Sequence, residues 1–367
     1  MDACGHGIIS ADIIPVPKVV SAHPGTECNK KLRCTVRISE PRKEYRMEQE
    51  TPKPIDEISS SLNYTIDVII PIYHADDKLD RLLSMLYCQT IQPNHVYLLH
   101  TIEYEGQGLT LPTIEGSNIT VHPVNKVDFD HGGTRKYGAS LSNADLLMFM
   151  TQDAVPADEH LIEKLLGAFS DPWVSAAYAR QLPDEKAGLV ERYTRKFNYP
   201  KHSRIKSLED LGELGIKTFF CSNVCAMYRN GVYQKLGGFV EKTIFNEDML
   251  MAAAMIRADY RIAYVAEAKV VHSHKYTYRQ QFTRNFDLGV SHRQYREVFT
   301  GVKSESEGIR LVKNTMNYLC EKKKYYLIPD LIISSGFKFL GYQCGKRYEL
   351  FPVWLLKKFS MNRSYWK

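Results

Sequence analysis

A single carboxylate stands at the end of an apolar run in the segment MFMTQDAVPAD, residues 148–158. The run LLMFM is typical of a buried strand, so Asp153 comes where the chain leaves the core. A carboxylate at such a position could ligate a divalent cation, because Mg²⁺ and Mn²⁺ take one or two carboxylates together with waters and phosphates. The alternative is structural: Asp153 begins a turn before Pro156, and the segment alone favours that interpretation.

Two adjacent acids, Glu247 and Asp248, stand at the start of a predicted helix in FNEDML, residues 245–250. The helix dipole favours negative charge there, and a structural role as a cap explains one of the two acids. The other could act as a general base if a substrate hydroxyl reaches it. The pattern favours neither role over the other, and both acids are candidate catalytic residues.

His272 and His274 are spaced by two in VVHSHKYT, residues 270–277. In an extended segment this spacing directs both side chains to the same face. Neutral imidazole is a common metal ligand, so the pair could contribute to a metal site. Two strand histidines that face solvent are the alternative.

A pair of glycines opens a predicted helix in DFDHGGTRKYGAS, residues 128–140. The backbone N–H groups of Gly132 and Gly133, together with the cation of Arg135, suit an anionic phosphate. The segment is neither a GxGxxG motif nor a Walker loop, so this indication is weak by itself. HGG also resembles the oxyanion motif of esterases, but the chain contains no GxSxG elbow, which argues against an α/β-hydrolase.

Two arginines, Arg279 and Arg284, follow the histidines in YTYRQQFTRNFDLG, residues 276–289. Arginine binds phosphate groups through two parallel hydrogen bonds, so the two side chains could clamp a diphosphate. Ordinary surface charge explains them equally well.

The elements that must position these residues alternate between strands and helices from Tyr64 onward. Strands are predicted at residues 66–73, 95–100, 118–124, 145–150 and 173–180, and a strand pair or a strand with a turn at 260–274. Helices are predicted after Asp76, at 132–144, after Asp158 and at 246–260. The alternation predicts an α/β fold with a doubly wound sheet, in which ligands bind beyond the carboxyl ends of the strands.

Length and composition divide the chain into three parts. It has 367 residues, of which 44% are hydrophobic, and a formal net charge of +6, which is too mild to predict a nucleic-acid partner. Residues 1–62 are broken by Pro and Gly or dense in charge, and we expect a poorly ordered N-terminal extension. Residues 63–300 are predicted to form the α/β domain and residues 301–367 a C-terminal helical extension.

The compartment is indicated by what the sequence contains. Eight cysteines without a CxxC pair predict a reduced, intracellular protein. Neither a signal peptide nor an apolar run of about 18 residues is found, so we predict no transmembrane helix. Residues 320–367 carry ten Lys or Arg against three acids, interleaved with aromatic residues. This extension is predicted to bind an anionic membrane surface, or to pack as a helical hairpin on the domain.

Five segments, in their order and spacing, resemble a family 2 glycosyltransferase with the GT-A fold, over about residues 64–300. The segments are DVIIPIYHADDKLDRLLSMLYCQT, DFDHGGTRKYGAS, MFMTQDAVPAD, LGGFVEKTIFNED and VVHSHKYTYRQQFTRNFDLG. Within the family, the HGGTR and TQDA variants are most similar to bacterial rhamnosyltransferases of surface polysaccharide synthesis. The resemblance implies a mostly parallel, Rossmann-like nucleotide-sugar domain.

The resemblance also implies a reaction and its cofactor. We expect inverting, metal-dependent transfer of rhamnose from dTDP-rhamnose to a saccharide acceptor. Asp153 would be the metal-binding Asp of the DxD motif, with His272 or His274 as a further ligand of Mg²⁺ or Mn²⁺. Asp248 would be the base that deprotonates the acceptor hydroxyl. A lipid-linked acceptor would place the enzyme in the cytoplasm, peripherally on the inner face of the plasma membrane.

The nucleotide-sugar donor is expected at the end of the first strand, where the resemblance makes Pro71 and Tyr73 line the nucleotide site. The complete set of candidate donor-binding residues is Pro71, Tyr73, Gly132, Gly133, Arg135, Gln152, Arg279 and Arg284.

The chain departs from the family pattern at two places. Thr151 replaces the first acid of DxD, so that one carboxylate rather than two meets the donor. The predicted second strand ends in His100 and Thr101, where the family often has an Asp that holds the base or ribose. The donor base therefore stays open, with a UDP-hexose as the alternative. The missing acid also raises the alternative of a non-catalytic carbohydrate- or lipid-binding scaffold.

Overall fold

A mixed β-sheet forms the centre of the structure, a computed structural model that describes residues 64–299 and 305–366. Its strands in these ranges are β1 Ile66–Ile72, β2 His95–Ile102, β3 Ile119–Asn125, β4 Leu146–Met150, β5 Val155–Pro156, β6 Val174–Leu182, β7 Arg204–Lys206, β8 Cys225–Arg229 and β9 Arg261–Val271. Their order is β3-β2-β1-β4-β8-β6-β9-β5, with β7 paired to β9. The predicted extension at residues 1–62 lies outside the described residues.

Helices cover the sheet and continue beyond it. Those in the described ranges are α1 Asp77–Tyr87, α2 His131–Ser140, α3 Leu161–Gly167, α4 Leu189–Asn198, α5 Leu211–Leu214, α6 Asn230–Lys235, α7 Glu247–Arg257, α8 Tyr278–Gln294, α9 Arg296–Phe299, α10 Glu305–Glu321, α11 Ile328–Gly345 and α12 Val353–Phe359. None of them is both long and apolar enough to cross a bilayer.

The parallel part of the sheet follows from its apolar runs. β1 and β4 are almost entirely buried, as strands covered on both faces must be. β1 pairs parallel with β2 and β4, and β2 pairs parallel with β3. Parallel strands need helical crossovers, and α1 supplies one by burying Leu79, Leu82, Leu83 and Leu86. The predicted α/β fold with a doubly wound, mostly parallel sheet is confirmed.

The second half of the sheet differs in detail from the prediction. β8 was not predicted, and it runs antiparallel between β4 and β6. The predicted strand or strand pair at residues 260–274 is one strand, β9, with an irregularity opposite Ala179 and Arg180 of β6. Apolar periodicity marks buried strands, but it carries no information on their direction or on bulges.

The predicted C-terminal helices are present, and α11 packs closely on α8. A Cβ atom on Gly341 would lie 2.2 Å from the carbonyl oxygen of Phe282, and one on Gly345 would lie 2.0 Å from that of Phe286. Only glycine at these two positions allows the helix backbones to approach so closely. The predicted domain boundary at residues 300–301 lies within 300–304, outside the described residues, and stays a prediction.

Candidate active site

Asp153 and the two histidines meet because of one short strand pair. Asp153 lies between β4 and β5, and β5 pairs antiparallel with β9 so that Val155 faces Val271. This pairing brings His272 and His274 to the carboxylate. Oδ1 of Asp153 is 3.5 Å from Nε2 of His272, and Oδ2 is 3.3 Å from Nε2 of His274. The ligand atoms of the three residues all lie within 4.8 Å of one another.

Both imidazoles are held neutral, which is the form that binds metals. Burial lowers the pKa of His272 well below its ordinary value, and the adjacent His274 and Arg195 add to the effect. Burial also lowers the pKa of His274, and Asp153 opposes this only in part. The cluster therefore offers one carboxylate and two neutral nitrogens at neutral pH.

The two acids at the start of α7 have different surroundings. Glu247 Oε1 is 3.2 Å from Arg135 Nη1 in a buried ion pair, and it accepts a hydrogen bond from Asn223 Nδ2. Burial favours the protonated form of Glu247, but Arg135 and His131 outweigh it and lower its pKa. Among the residues that the structure describes, no cation forms such an ion pair with Asp248. The residue pattern did not distinguish the two acids, and only the family resemblance implied Asp248 as the base. The ion pair gives Glu247 a structural contact.

Asp248 is a half-buried carboxyl with a pKa near neutrality. Its side chain accepts hydrogen bonds from the backbone N–H groups of Asn223, at 3.1 Å, and Met249, at 2.8 Å. Burial, together with the charge of Glu247, raises the pKa of Asp248 to about 7. A carboxyl with this pKa is suited to general base catalysis at neutral pH, because both of its protonation states are accessible.

Gly132 and Gly133, which precede Arg135, make contacts within the fold. Asp130 caps α2 and accepts hydrogen bonds from the backbone N–H groups of Gly132, at 3.0 Å, and Gly133, at 2.9 Å. A Cβ atom on Gly132 would lie only 1.8 Å from the carbonyl oxygen of Val240. These contacts explain structurally why glycine stands at both positions. The role of the two glycines in donor binding stays a prediction.

Gln152 ties the end of β4 to the end of β1. Its Oε1 accepts a hydrogen bond from Tyr73 N at 2.7 Å, and its Nε2 donates to Tyr73 O at 3.0 Å and to His74 O at 3.3 Å. Pro71 lies in β1, just before this junction. The predicted donor residues Pro71, Tyr73 and Gln152 are therefore close together at the carboxyl ends of the parallel strands.

The sequence analysis missed an acid at the end of β2. The strand continues to Ile102 rather than stopping at His100, so that Glu103 is the first residue beyond it. Glu103 accepts a hydrogen bond from Tyr73 Oη at 2.7 Å and is paired with Lys126, which follows β3. Because the predicted strand ends at His100, only His100 and Thr101 were considered at its end, and Glu103 was not.

A cavity of about 840 Å³ connects most of the predicted residues. The members of the predicted set that line it are Arg135, Asp153, Glu247, Asp248, His272, His274 and Arg284. Arg284 is 4.8 Å from the centre of the Phe245 ring. Arg279 is exposed on α8 and is not among the residues that line this cavity. Buried residues that sequence reasoning did not find are Gln181 and Asn223, which carry no motif of their own.

Residues 64–300 match the sequence profile described as glycosyltransferase like family 2. The chain belongs to this glycosyltransferase family. The glycosyltransferase is 40% identical over 306 residues to O-antigen chain rhamnosyltransferase RfbN of Salmonella typhimurium, covering 82% of this chain and 96% of the relative. It is 39% identical over 304 residues to O-antigen chain rhamnosyltransferase WbaN of Salmonella anatum, covering 82% and 95%. The predicted enzyme class is confirmed, and the non-catalytic scaffold is not retained.

Two of the solved structures that this chain resembles are a mannosyltransferase and S. aureus TarS. The mannosyltransferase PcManGT from Pyrobaculum calidifontis, in complex with GDP-Man and Mn²⁺, matches with a TM-score of 0.48 and 11% identity, over 83% of this chain and 85% of that one. S. aureus TarS 1–349 in complex with UDP-GlcNAc matches with a TM-score of 0.44 and 12% identity, over 78% and 91%.

Proposed function

We propose that this glycosyltransferase transfers rhamnose from dTDP-rhamnose to a saccharide acceptor during surface polysaccharide synthesis, with inversion at the anomeric carbon. The observation that carries the proposal is that Asp248 and the Asp153–His272–His274 cluster line one cavity. A base and a cation site around one space are what displacement of a nucleoside diphosphate requires. The choice of rhamnose rests on the names of the two Salmonella relatives.

The ligand atoms of Asp153, His272 and His274 fit a divalent metal ion. One carboxylate oxygen and two imidazole nitrogens are close enough to share a single ion. Because Mg²⁺ strongly prefers oxygen ligands, this set favours Mn²⁺ over Mg²⁺. When bound, the ion would supply positive charge for the diphosphate that leaves. Asp153, His272 and His274 would hold it. The histidines would take the role of the first carboxylate of the DxD motif, which Thr151 replaces in this chain.

Asp248 would accept the proton of the acceptor hydroxyl. As the hydroxyl oxygen attacks, the new bond to the anomeric carbon forms while the bond from that carbon to the diphosphate oxygen breaks. The bonding electrons leave with the nucleoside diphosphate, and the proton moves to a carboxylate oxygen of Asp248. A single displacement of this kind inverts the anomeric centre and requires only one base. Arg284, whose guanidinium lies over the rings of Phe245 and Tyr276, is suited to bind the phosphates.

The donor nucleotide would bind at the ends of β1, β2 and β3. Tyr73, Glu103 and Lys126, the first residues after these strands, contact one another there. Glu103 supplies the acid that the family often has at the end of the second strand. A carboxylate can accept hydrogen bonds from a ribose or a base, so Glu103 does not distinguish a dTDP from a UDP donor.

The acceptor is proposed to be lipid-linked, because α11 presents an apolar face to solvent. Its exposed apolar side chains are Ile332, Ile333, Phe337, Phe339 and Leu340. Ile332, Ile333, Phe339 and Leu340 recur at helical spacing and form one face, away from the glycines that contact α8. Phe337 lies at the edge of this face, where its ring stacks on Tyr278 of α8. Exposed apolar faces of this kind are rare on monomeric soluble proteins and indicate an interaction site.

Exposed lysines before and after α11 in the chain favour an anionic membrane as the partner of this face. Lys322, Lys323 and Lys324 precede α11 and are exposed, as are Lys357 and Lys358 on α12. Lysines around an apolar helical face bind anionic lipid headgroups while the apolar side chains enter the interface. The enzyme would then act peripherally on the inner face of the plasma membrane, where a lipid-linked saccharide is accessible.

The donor is tested by transfer assays with Mn²⁺, a lipid-linked saccharide acceptor and dTDP-rhamnose, UDP-glucose or UDP-galactose. Product with dTDP-rhamnose, and with inverted anomeric configuration by NMR, is expected. Turnover of only a UDP-hexose would replace rhamnose by that sugar, and retained configuration would exclude the single displacement.

The membrane surface is tested by co-sedimentation with phosphatidylglycerol and phosphatidylcholine vesicles. The wild type is expected to bind the anionic vesicles, and the Phe339→Glu/Leu340→Glu variant to lose binding. Ile205→Glu changes an exposed apolar residue on β7 and serves as the control. Equal binding by all three proteins contradicts the assignment of this face. A wild-type dimer in light scattering that the double variant abolishes would instead assign the face to a second copy of the chain.

A further inference from the structure

Gln181, near the end of β6, lies behind the metal cluster and contacts three other side chains. It is buried, as is His272. Its Oε1 is 3.1 Å from Nδ1 of His272 and accepts a hydrogen bond from Nη1 of Arg195. Its Nε2 donates to Ser222 Oγ at 3.0 Å. The amide therefore links α4, β6 and the segment after β9 at the side of His272 that faces away from Asp153.

The orientation of this amide is determined by Arg195. A guanidinium group has only N–H donors, so the atom of Gln181 that meets it must be an acceptor. A flipped amide would direct its NH₂ group at the donors of Arg195. Oε1 therefore faces both Arg195 and His272, and Nε2 faces the hydroxyl of Ser222, which can accept.

This orientation decides where the proton of His272 resides. In a neutral imidazole one nitrogen carries the proton and the other has a lone pair. Because Nδ1 faces the acceptor Oε1 of Gln181 at 3.1 Å, Nδ1 is the protonated nitrogen. The competing donor, Arg195 Nη2, is farther from Nδ1, at 3.4 Å. The lone pair is thus on Nε2, the atom that faces Asp153 and His274.

The contact between the histidines is consistent with this arrangement. The Nε2 atoms of His272 and His274 are 2.9 Å apart, so one of them must donate when no ion lies between them. With a lone pair on His272, the donor is His274, whose Nε2 is also 3.3 Å from Asp153 Oδ2. As a neutral ligand of an ion, His274 would carry its proton on Nδ1 instead, so that the Nε2 atoms of both histidines and the carboxylate of Asp153 would offer lone pairs.

We propose that Gln181, oriented by Arg195, is a positioning residue that holds His272 in its Nδ1–H tautomer and so prepares Nε2 as a metal ligand. The proposal rests on the metal site of the proposed function. Outer hydrogen-bond partners of ligating histidines fix the tautomer and ring orientation, and their loss typically weakens metal binding by about 10–100-fold. Here an amide oxygen would do this, and Arg195 determines that the oxygen rather than the NH₂ group of the amide faces His272.

The first test measures the Kd of Mn²⁺ alone, from the EPR signal of free Mn²⁺, for the full chain and its variants. Gln181→Met removes the acceptor at similar volume, and we expect Mn²⁺ to bind about 10–100-fold more weakly. Gln181→Glu keeps an acceptor toward both Arg195 and His272. This variant should bind Mn²⁺ about tenfold more tightly than Gln181→Met does.

A matched control is Gln89→Met. Gln89 is also a buried glutamine, with its amide bonded to the backbone of Met85, Asp158 and Ile162, none of which belongs to the cluster. This variant loses a comparable buried network, so it measures the effect of general destabilisation. Its Mn²⁺ affinity should equal that of the wild type. A loss as large as that of Gln181→Met would reduce Gln181 to a structural residue.

The second test reads the tautomer directly by NMR of ¹⁵N-histidine-labelled, metal-free protein. His272→Ala identifies the signals of His272. We expect a protonated Nδ1 and an unprotonated Nε2 in the wild type, and a shift toward the other tautomer in Gln181→Met. A protonated Nε2 in the wild type overturns the proposal.

The two levels of inference can fail separately. Unchanged Mn²⁺ affinity in His272→Ala contradicts the proposed metal site itself. Weakened binding in His272→Ala together with unchanged binding in Gln181→Met overturns only the role of Gln181.

Discussion

Nη1 of Arg135 lies 3.2 Å from Oε1 of Glu247, and the two side chains are 7% and 8% exposed. This buried ion pair joins α2 to the start of α7 and separates the roles of the two neighbouring acids. Glu247 is kept ionised by Arg135, whereas burial and the charge of Glu247 raise the pKa of Asp248 to about 7. The contact between α2 and α7 thus positions the proposed base.

Removal of Arg135 should destabilise the protein strongly. Arg135→Met would leave Glu247 buried without its cation, and breaking a buried pair in this way costs about 3–5 kcal/mol of the free energy of unfolding. Lys136→Met is the control, because the adjacent Lys136 forms an exposed pair with Glu241 that is worth about 0–1 kcal/mol. Urea unfolding of the three proteins checks this, and equal losses in both variants would contradict it.

Asp248→Asn should strongly reduce transfer and remove part of the pH dependence of stability. The amide oxygen can still accept from Asn223, but it cannot take a proton, so kcat should fall by about 10²–10⁴-fold. Folding raises the pKa of Asp248 above that of an unfolded Asp, so its ionisation destabilises the protein as the pH rises toward 7. The Tm of the variant relative to that of the wild type should therefore be higher at pH 8 than at pH 5. A variant with substantial activity would exclude Asp248 as the base.

The pH profile of kcat/KM should have an acidic limb near pH 7. Below this pH Asp248 is protonated and cannot accept the acceptor's proton, so the rate falls as the pH falls. Because the pKa values of His272 and His274 are lowered, their protonation belongs to a lower pH range. Initial rates between pH 5.5 and 8.5 at saturating Mn²⁺ test this. A flat profile across that range would show that no group with such a pKa limits catalysis.

Metal removal and loss of the cluster should have the same effect. EDTA should abolish transfer, and Mn²⁺ should restore it at lower concentration than Mg²⁺, because two of the three ligands are nitrogens. Asp153→Ala should weaken Mn²⁺ binding by at least about tenfold, whereas His160→Ala, a change at a half-exposed histidine on another surface, should not. Full transfer in the presence of EDTA would remove the metal from the proposal.

Glu103→Gln should weaken donor binding without slowing the chemical step. Glu103 contacts Tyr73 and Lys126 at the strand ends, away from the residues that line the cavity of Asp248. Loss of binding that is equal in the ground and transition states raises KM and leaves kcat unchanged. We expect about a tenfold increase in donor KM, or about 1.4 kcal/mol. Glu105→Gln, an exposed neighbour, is the control, and an unchanged KM in Glu103→Gln would exclude this position from the donor site.

Most of the fold, and the residue types of the candidate site, could be predicted from local patterns in the sequence. The apolar runs at β1 and β4 and the spacing of Leu79 to Leu86 depend on short-range periodicity, which a sequence displays directly. The same reading missed β8 and ended β2 two residues early, because partner and direction of a strand depend on distant parts of the chain.

Asp153, Asp248, His272 and His274 were recognisable in the sequence because each follows an apolar strand or opens a helix. Their grouping was decided by pairings between distant segments. The β5–β9 pair brings Asp153 to the histidines. The contact between α2 and α7 pairs Arg135 with Glu247, whereas burial and the charge of Glu247 raise the pKa of Asp248. Burial and the distance between charges determine a pKa and a tautomer, and both quantities exist only once the chain has folded.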